Sequence, residues 1–280
     1  MIPQLEERRL AIRLEDARQI IGELVELLRP ACERIEITGG AVSGVRLADG
    51  EVLPADRVVF NGDVAALEAG LLGNAARRAA PAVGPRSLSA VTWSIHAEST
   101  GLPLDRHNVF FRPDYQSEFT DIFEAGRLPR QPTVYLCAQD RGHDGPQPGA
   151  RRLLALVNAP AVGGRGVLTP EALAECEHTS FSLLRQCGLQ LSPQAHQVVR
   201  QTPDDFHRLF PGTGGALYGQ ATHGWMSAFA RSPSRSAVPG LFLAGGSVHP
   251  GPGVPMAAMS GQLAAAAVMD SLASTKGWRL

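Results

Sequence analysis

Residues 240–256 read GLFLAGGSVHPGPGVPM, and this stretch decides the fold. Leu241-Phe242-Leu243-Ala244 is a short, continuous apolar run, the pattern of a buried strand. The pattern then predicts a loop over Gly245 to Pro255 and a helix from Met256 to Leu272. The helix opens MAAMSGQLAAAAV, mostly alanine, serine and glycine, so its backbone can lie close to a sheet or a ligand. Gly245, Gly246, Gly251 and Gly253 remove side chains where a flat ring or a phosphate must approach backbone, while Pro250, Pro252 and Pro255 stiffen the loop. Unpaired N–H groups in the helix's first turn, with the positive end of its dipole, favour partial negative charge on whatever sits there. Taken alone, strand, glycine-rich loop and helix recur in many α/β proteins.

Working outward, Arg57 to Asn61 carries a second apolar run, Val58-Val59-Phe60, expected to lie in a parallel sheet buried on both faces. Asp63 is placed to cap the helix after it. Before it, Arg34 to Ile37, Ala41 to Leu47, a turn at Ala48-Asp49-Gly50 and Glu51 to Leu53 predict a strand-turn-strand ribbon. Between Asp16 and Arg29, Ile20, Ile21, Leu24, Leu27 and Leu28 recur at helical spacing, an amphipathic helix ended by Pro30.

From about Asn74 the style changes. Val91, Trp93 and Ile95 alternate with Thr92, Ser94 and His96, the period of a half-buried strand. Further strands are expected at 108–112, 133–138 and 153–158. Thr169-Pro170-Glu171 opens and Gly188 closes a helix over 170–187, with Cys176 and Cys187 expected to fill its core. Arg141 to Gly149 reads as an exposed loop, and the glycine clusters at 163–166 and 212–215 as turns. The expected architecture is α/β. A first domain of 1–73 and 205–280 receives an inserted, sheet-based domain of 74–204.

The chain has 280 residues and a formal net charge of -1 with pI near 6.7. No basic excess exists to neutralise phosphates, so a nucleic-acid partner is not expected. Lys276 is the sole lysine among 26 basic residues, which fits an arginine bias of the source genome. Four cysteines without a C-x-x-C pair fit a reducing compartment. The charged start lacks the apolar core of a signal peptide. The apolar run Leu263 to Met269 is only seven residues, whereas a spanning helix needs about 20. A cytoplasmic protein is expected, touching a membrane peripherally if at all. No catalytic triad, H-E-x-x-H zinc motif or paired-carboxylate motif stands out, and no metal site is expected.

GLFLAGGSVHPGPGVPMAAMSG closely resembles the C-terminal flavin motif of phytoene-desaturase-type carotenoid desaturases, where a strand ending in small residues leads into His-Pro-Gly and a further glycine. Residues 211–235, PGTGGALYGQATHGWMSAFARSPSR, are similar to the stretch before that motif, with Arg231-Ser232-Pro233-Ser234-Arg235 a small departure from the family's R-P-S-x-R. GVRLADGEVLPADRVVFNGD resembles the family's strand-turn-strand into the flavin sheet, and HNVFFRPDYQSEFTDIF with TVYLCAQDR its substrate domain. RSLSAVTWSI and HNVFFRPDY are closer to the hydroxycarotenoid or methoxyneurosporene desaturases.

The resemblance implies a partial, Rossmann-like FAD-binding domain with an inserted substrate domain. It implies a reaction passing a hydride from a carotenoid to flavin N5 with loss of a proton from the neighbouring carbon. The implied cofactor-binding residues are Gly245, Gly246, Ser247, Val248, His249, Pro250, Gly251, Gly253, Val254, Pro255 and Met256. His249 is the candidate catalytic residue, or else a loop histidine bonded to backbone. Trp225, Met226 and Phe229 either line an apolar substrate channel or are plain core. The sibling amine oxidases place a lysine beside flavin N5; Lys276 sits in the tail, which disfavours an amine substrate.

Family members open with a strand, a G-x-G-x-x-G turn and an acidic residue about 20 positions on that holds the ADP ribose. That segment is absent from this sequence. An N-terminally truncated or split gene product is therefore expected, with a missing N-terminal half as partner and poor FAD binding on its own. Two alternatives stay open: a noncatalytic fragment or half of a split flavoprotein, and a saturase or isomerase of the same fold.

Overall fold

The computed structural model describes residues 31–80, 84–141, 149–221 and 231–276. The helix expected at 16–29 and the candidates Trp225, Met226 and Phe229 lie outside these residues.

In chain order the elements begin with β1 (Cys32–Thr38), β2 (Ala41–Leu47), β3 (Val52–Pro54) and β4 (Val58–Phe60), followed by α1 (Val64–Glu68). Next come β5 (Ser89–Gly101), β6 (His107–Phe110), α2 (Gln116–Phe119), β7 (Val134–Ala138), β8 (Arg151–Ala159) and α3 (Pro170–Gln186). The chain then forms β9 (Leu189–Gln201), α4 (Pro203–Leu209), β10 (Leu241–Leu243) and α5 (Val254–Lys276).

Strands β1, β2 and β3 form the expected antiparallel ribbon. β4 and β10 pair in parallel, Val58 opposite Leu241 and Phe60 opposite Leu243, so residues more than 180 positions apart leave the pair side by side at its carboxyl end. In α/β proteins such an end is where ligand crevices open. β10 is buried throughout, but Val59 is 51% exposed, which corrects the expectation of a β4 covered on both faces. β4 is one strand of a two-stranded pair, bonded to β10 along one edge. A core of Ile35, Val42, Val64, Leu67, Leu241 and Leu243 fills the space below.

Residues 89–201 build a five-stranded antiparallel sheet in the order β6-β7-β8-β5-β9. Its alternating apolar face buries Val91, Trp93, Ile95, Ala155 and Leu136 against Leu173, Cys176, Leu183 and Leu184 of α3. Trp93 is fully buried; its indole N–H donates to Glu177 Oε2 at 2.9 Å and its ring meets Phe181 edge-on at 5.6 Å. The hydrogen bond matters because a buried indole N–H without a partner is costly.

The start of α3 follows its sequence, with Thr169 Oγ1 accepting from the Ala172 N–H at 3.3 Å and Gly188 turning the chain at φ 88°. Cys176 is buried as expected, whereas Cys187 is exposed. It is the C-cap residue, at the corner where the chain leaves for β9. α5 begins two residues earlier than expected, since a proline is tolerated in a helix's first turn. Arg57 ties its far end to the sheet, donating to Ser271 Oγ at 2.7 Å and Ser271 O at 3.0 Å. Among the described residues no helix is long and apolar enough to cross a membrane.

Candidate functional site

The parallel pair delivers two loops to one place, Asn61–Asp63 after β4 and Gly245–Ser247 after β10. Asp63 caps α1 by accepting from the Ala65 N–H at 2.9 Å, and Ser247 Oγ accepts from the Val64 N–H at 3.2 Å. The glycine loop is therefore bonded to the α1 entrance. From the other side, buried Ser260 of α5 accepts from the Gly245 N–H at 2.8 Å and donates to Ala257 O at 2.7 Å.

Arg231, only 5% exposed, braces the loop from a third side. Its guanidinium donates to Gly246 O at 3.3 Å, Tyr218 O at 3.1 Å and Gln220 O at 3.2 Å. Burial lowers its pKa, with the Asp63 charge opposing. Burial raises that of Asp63, against the Ala65 N–H and the charges of Arg231 and Arg86. Further along, the His249 N–H donates to Ser232 O at 3.0 Å, and the His249–Pro250 peptide is cis.

The sequence pattern marks the loop and Ser247 but not Arg231 or Ser260. In the sequence Arg231 is simply the first residue of an altered R-S-P-S-R run. Ser260 looked like one more small residue in an alanine-rich helix. Their partners are far along the chain, which local pattern does not reveal.

Two clefts flank the loop. One of about 210 Å³ is lined by Asn61, Asp63, Phe210, Leu217, Gly246 and Ser247. Another of about 260 Å³ is lined by Leu88, Phe123, Tyr218, Gln220, Arg231 and Pro252. Gly246 and Ser247 thus stand at the first and Pro252 at the second, whereas Gly245 lines neither of them. His249 and Pro250 are half-buried and line neither of these clefts, and Val248 is fully buried with its side chain in the core.

Gly251 and Gly253 adopt φ 134° and 104°, values that favour glycine. A methyl group added at Gly253 would meet nothing within 4 Å, and one at Gly246 only Pro252 Cα at 3.7 Å. Val254 is 86% exposed and Met256 42%, so the first turn of α5 stands open on that side. Bare backbone, an open helix start and partly apolar walls fit a flat, electron-accepting ring, the group that the motif anticipates. Among the described residues no group of three or more His, Cys, Asp or Glu is placed to hold a metal ion.

A family profile described as "Flavin containing amine oxidoreductase" matches residues 9–269. The hydroxyneurosporene desaturase of Rubrivivax gelatinosus is 59% identical over 253 residues, covering 87% of this chain and 47% of that protein. Those of Cereibacter sphaeroides and Rhodobacter capsulatus are 46% and 41% identical, covering 86% and 87% of this chain and 48% and 49% of their own lengths. The chain spans about half the length of these curated relatives.

Proposed function

The chain belongs to the flavin containing amine oxidoreductase family, and from that premise we propose that it supplies the flavin-ring and substrate sides of an FAD-dependent carotenoid desaturase. The observation that carries this is the open glycine loop at the carboxyl end of the parallel pair, braced by Arg231, Ser247 and Ser260 and flanked by two clefts. The similarity to hydroxyneurosporene desaturases favours a hydroxylated linear carotenoid as substrate.

FAD, when bound, supplies the acceptor for a hydride taken from a carbon of the polyene. The backbone of Gly245, Gly246 and Ser247, with the first turn of α5 from Val254 to Met256, would hold its ring. The positive end of the helix favours negative charge at that edge. Gly251, Gly253 and the prolines 250, 252 and 255 keep the loop bare and stiff, which lowers the ordering cost of binding. Phe210, Leu217 and Leu88 supply apolar walls of the two clefts. His249 is the candidate to take the proton from the neighbouring carbon. Trp225, Met226 and Phe229, which follow the cleft residues 216–221 in sequence, are candidates for the polyene channel. Residues 1–73 and 205–280 form the flavin part and 74–204 the substrate part of this scheme. The dinucleotide fingerprint that family members carry would complete the pyrophosphate clamp.

The test supplies the chain with FAD, a relative's fingerprint-bearing segment and a 1-hydroxylated linear carotenoid in detergent. Desaturation lengthens the conjugated system, so the visible absorption bands move to longer wavelength, and His249→Ala slows the change without weakening FAD binding. A spectrum that stays fixed for every linear carotenoid tried, with FAD demonstrably bound, would sink the desaturase reading. Tight stoichiometric FAD on the chain alone would remove the need for the second segment.

A further inference from the structure

We propose that Phe111, Tyr115, Phe119 and Phe123 form an aromatic track that holds the conjugated chain of the substrate on its way to the cleft beside Pro252, an inference that rests on the carotenoid reading above. The rings touch one another in series. Phe111 meets Tyr115 edge-on at 5.9 Å, Tyr115 meets Phe119 edge-on at 5.0 Å, and Phe119 lies nearly parallel to Phe123 at 6.2 Å. Phe123 then forms part of the wall of the cleft that Pro252 also lines.

What sets this segment apart is that its polarity is inverted. Phe111, Tyr115 and Phe123 are 61%, 48% and 52% exposed, whereas Glu118 and Asp121 on the same short helical stretch are 1% and 2% exposed. Ordinary packing buries the rings and solvates the carboxylates. Here the carboxylates are pinned inward. Glu118 accepts from the Thr133 N–H and from Asn158 Nδ2, both at 2.8 Å. Asp121 accepts from the Arg130 N–H and from Arg127 Nε, both at 3.0 Å. With those anchors inside, the i, i+4 spacing turns Tyr115, Phe119 and Phe123 outward together. A contiguous apolar patch held open in this way marks a binding surface.

A conjugated polyene suits it better than a bilayer. Its flat π system and C–H edges complement a row of rings presented alternately by edge and face. The track also leads into the flavin-loop cleft, a connection that a lipid-docking patch does not need. Along residues 111–130 the basic Arg112, Arg127 and Arg130 are offset by Asp114, Glu118, Asp121 and Glu124, with Arg127 and Arg130 both paired to Asp121, so the strip lacks the basic collar that draws a protein to anionic lipid.

The experiment titrates the full chain with all-trans lycopene in nonionic detergent and follows induced circular dichroism in the visible band. Tyr115→Ser with Phe123→Ser is expected to weaken binding at least tenfold without lowering the melting temperature, while Tyr115→Phe keeps wild-type affinity. Binding by the double serine variant as tight as wild type would overturn the track, as would no induced signal from wild type. Equal loss by that variant of binding to lycopene-free phosphatidylcholine vesicles would overturn it in favour of a lipid surface. Because this readout needs neither FAD nor turnover, ring-dependent binding without oxidation in the assay above leaves the track standing and sinks the desaturase reading instead.

Discussion

Cys176 is packed under α3, and burial pushes its thiol up to about 11, with the neighbouring Ser180 hydroxyl pulling the other way. Cys187, at the end of the same helix, is exposed. Since the thiolate is the reactive form, iodoacetamide at pH 8 should alkylate Cys187 in the folded chain and Cys176 only after unfolding, as read by peptide mass spectrometry. Equal rates would mean that α3 does not lie on the sheet as described. Asp121 shows the opposite balance. Desolvation raises its pKa, but the Arg130 N–H and the Arg127 guanidinium outweigh that and hold the carboxyl below its ordinary value. A depressed folded value contributes stability that is present above the unfolded value of about 3.9 and is lost as pH falls through the lower folded one. Asp121→Asn should thus lose on the order of 1–3 kcal/mol at neutral pH. In urea melts across pH, the gap to wild type should close only below about pH 4.

At the scale of elements, Gly240 is the hinge that admits β10 beside β4. Its φ is 83°, and a methyl group there would lie 2.6 Å from Asp56 O and 3.1 Å from Val42 Cβ. Gly50 has a similar φ of 93° but open space around it. Gly240→Ala should therefore lower stability by about 1–3 kcal/mol and Gly50→Ala by only about 1, measured by thermal denaturation. Several elements were legible in the chain: β10 from its apolar run, β5 from strict alternation, and α3 from Thr169-Pro170 and Gly188. β9 was not, because Pro193 and several polar residues interrupt the strand pattern of LQLSPQAHQVVRQ while its pairing with β5 is non-local. α4 escaped although Thr202 and Asp205 form a full capping box that could have betrayed it. The aromatic spacing from Phe111 to Phe123 was also visible. Which way it faced depended on hydrogen bonds from Thr133 and Asn158, far away in sequence.

The whole molecule places an antiparallel sheet and its helix against a smaller core that carries the parallel pair, with the glycine loop where chain from both converges. Gly246 is the position at which this arrangement can be probed without breaking it. Its φ lies outside the left-handed range, and an added Cβ would make ordinary contact with Pro252 Cα at 3.7 Å. A larger side chain would project toward the cleft of about 210 Å³ that Gly246 lines. If a flavin ring is seated there, Gly246→Leu competes with it directly. With the complementary fingerprint-bearing segment present, that variant should bind FAD at least tenfold more weakly by flavin fluorescence titration, while its melting temperature stays within a few degrees. Gly261 lies two turns into α5, where an added Cβ meets nothing within 4 Å. Gly261→Ala should raise stability by about 0.5–1 kcal/mol through helix propensity and leave FAD affinity unchanged. Wild-type FAD affinity in Gly246→Leu would place the ring away from this loop, because a leucine and an isoalloxazine cannot share that space.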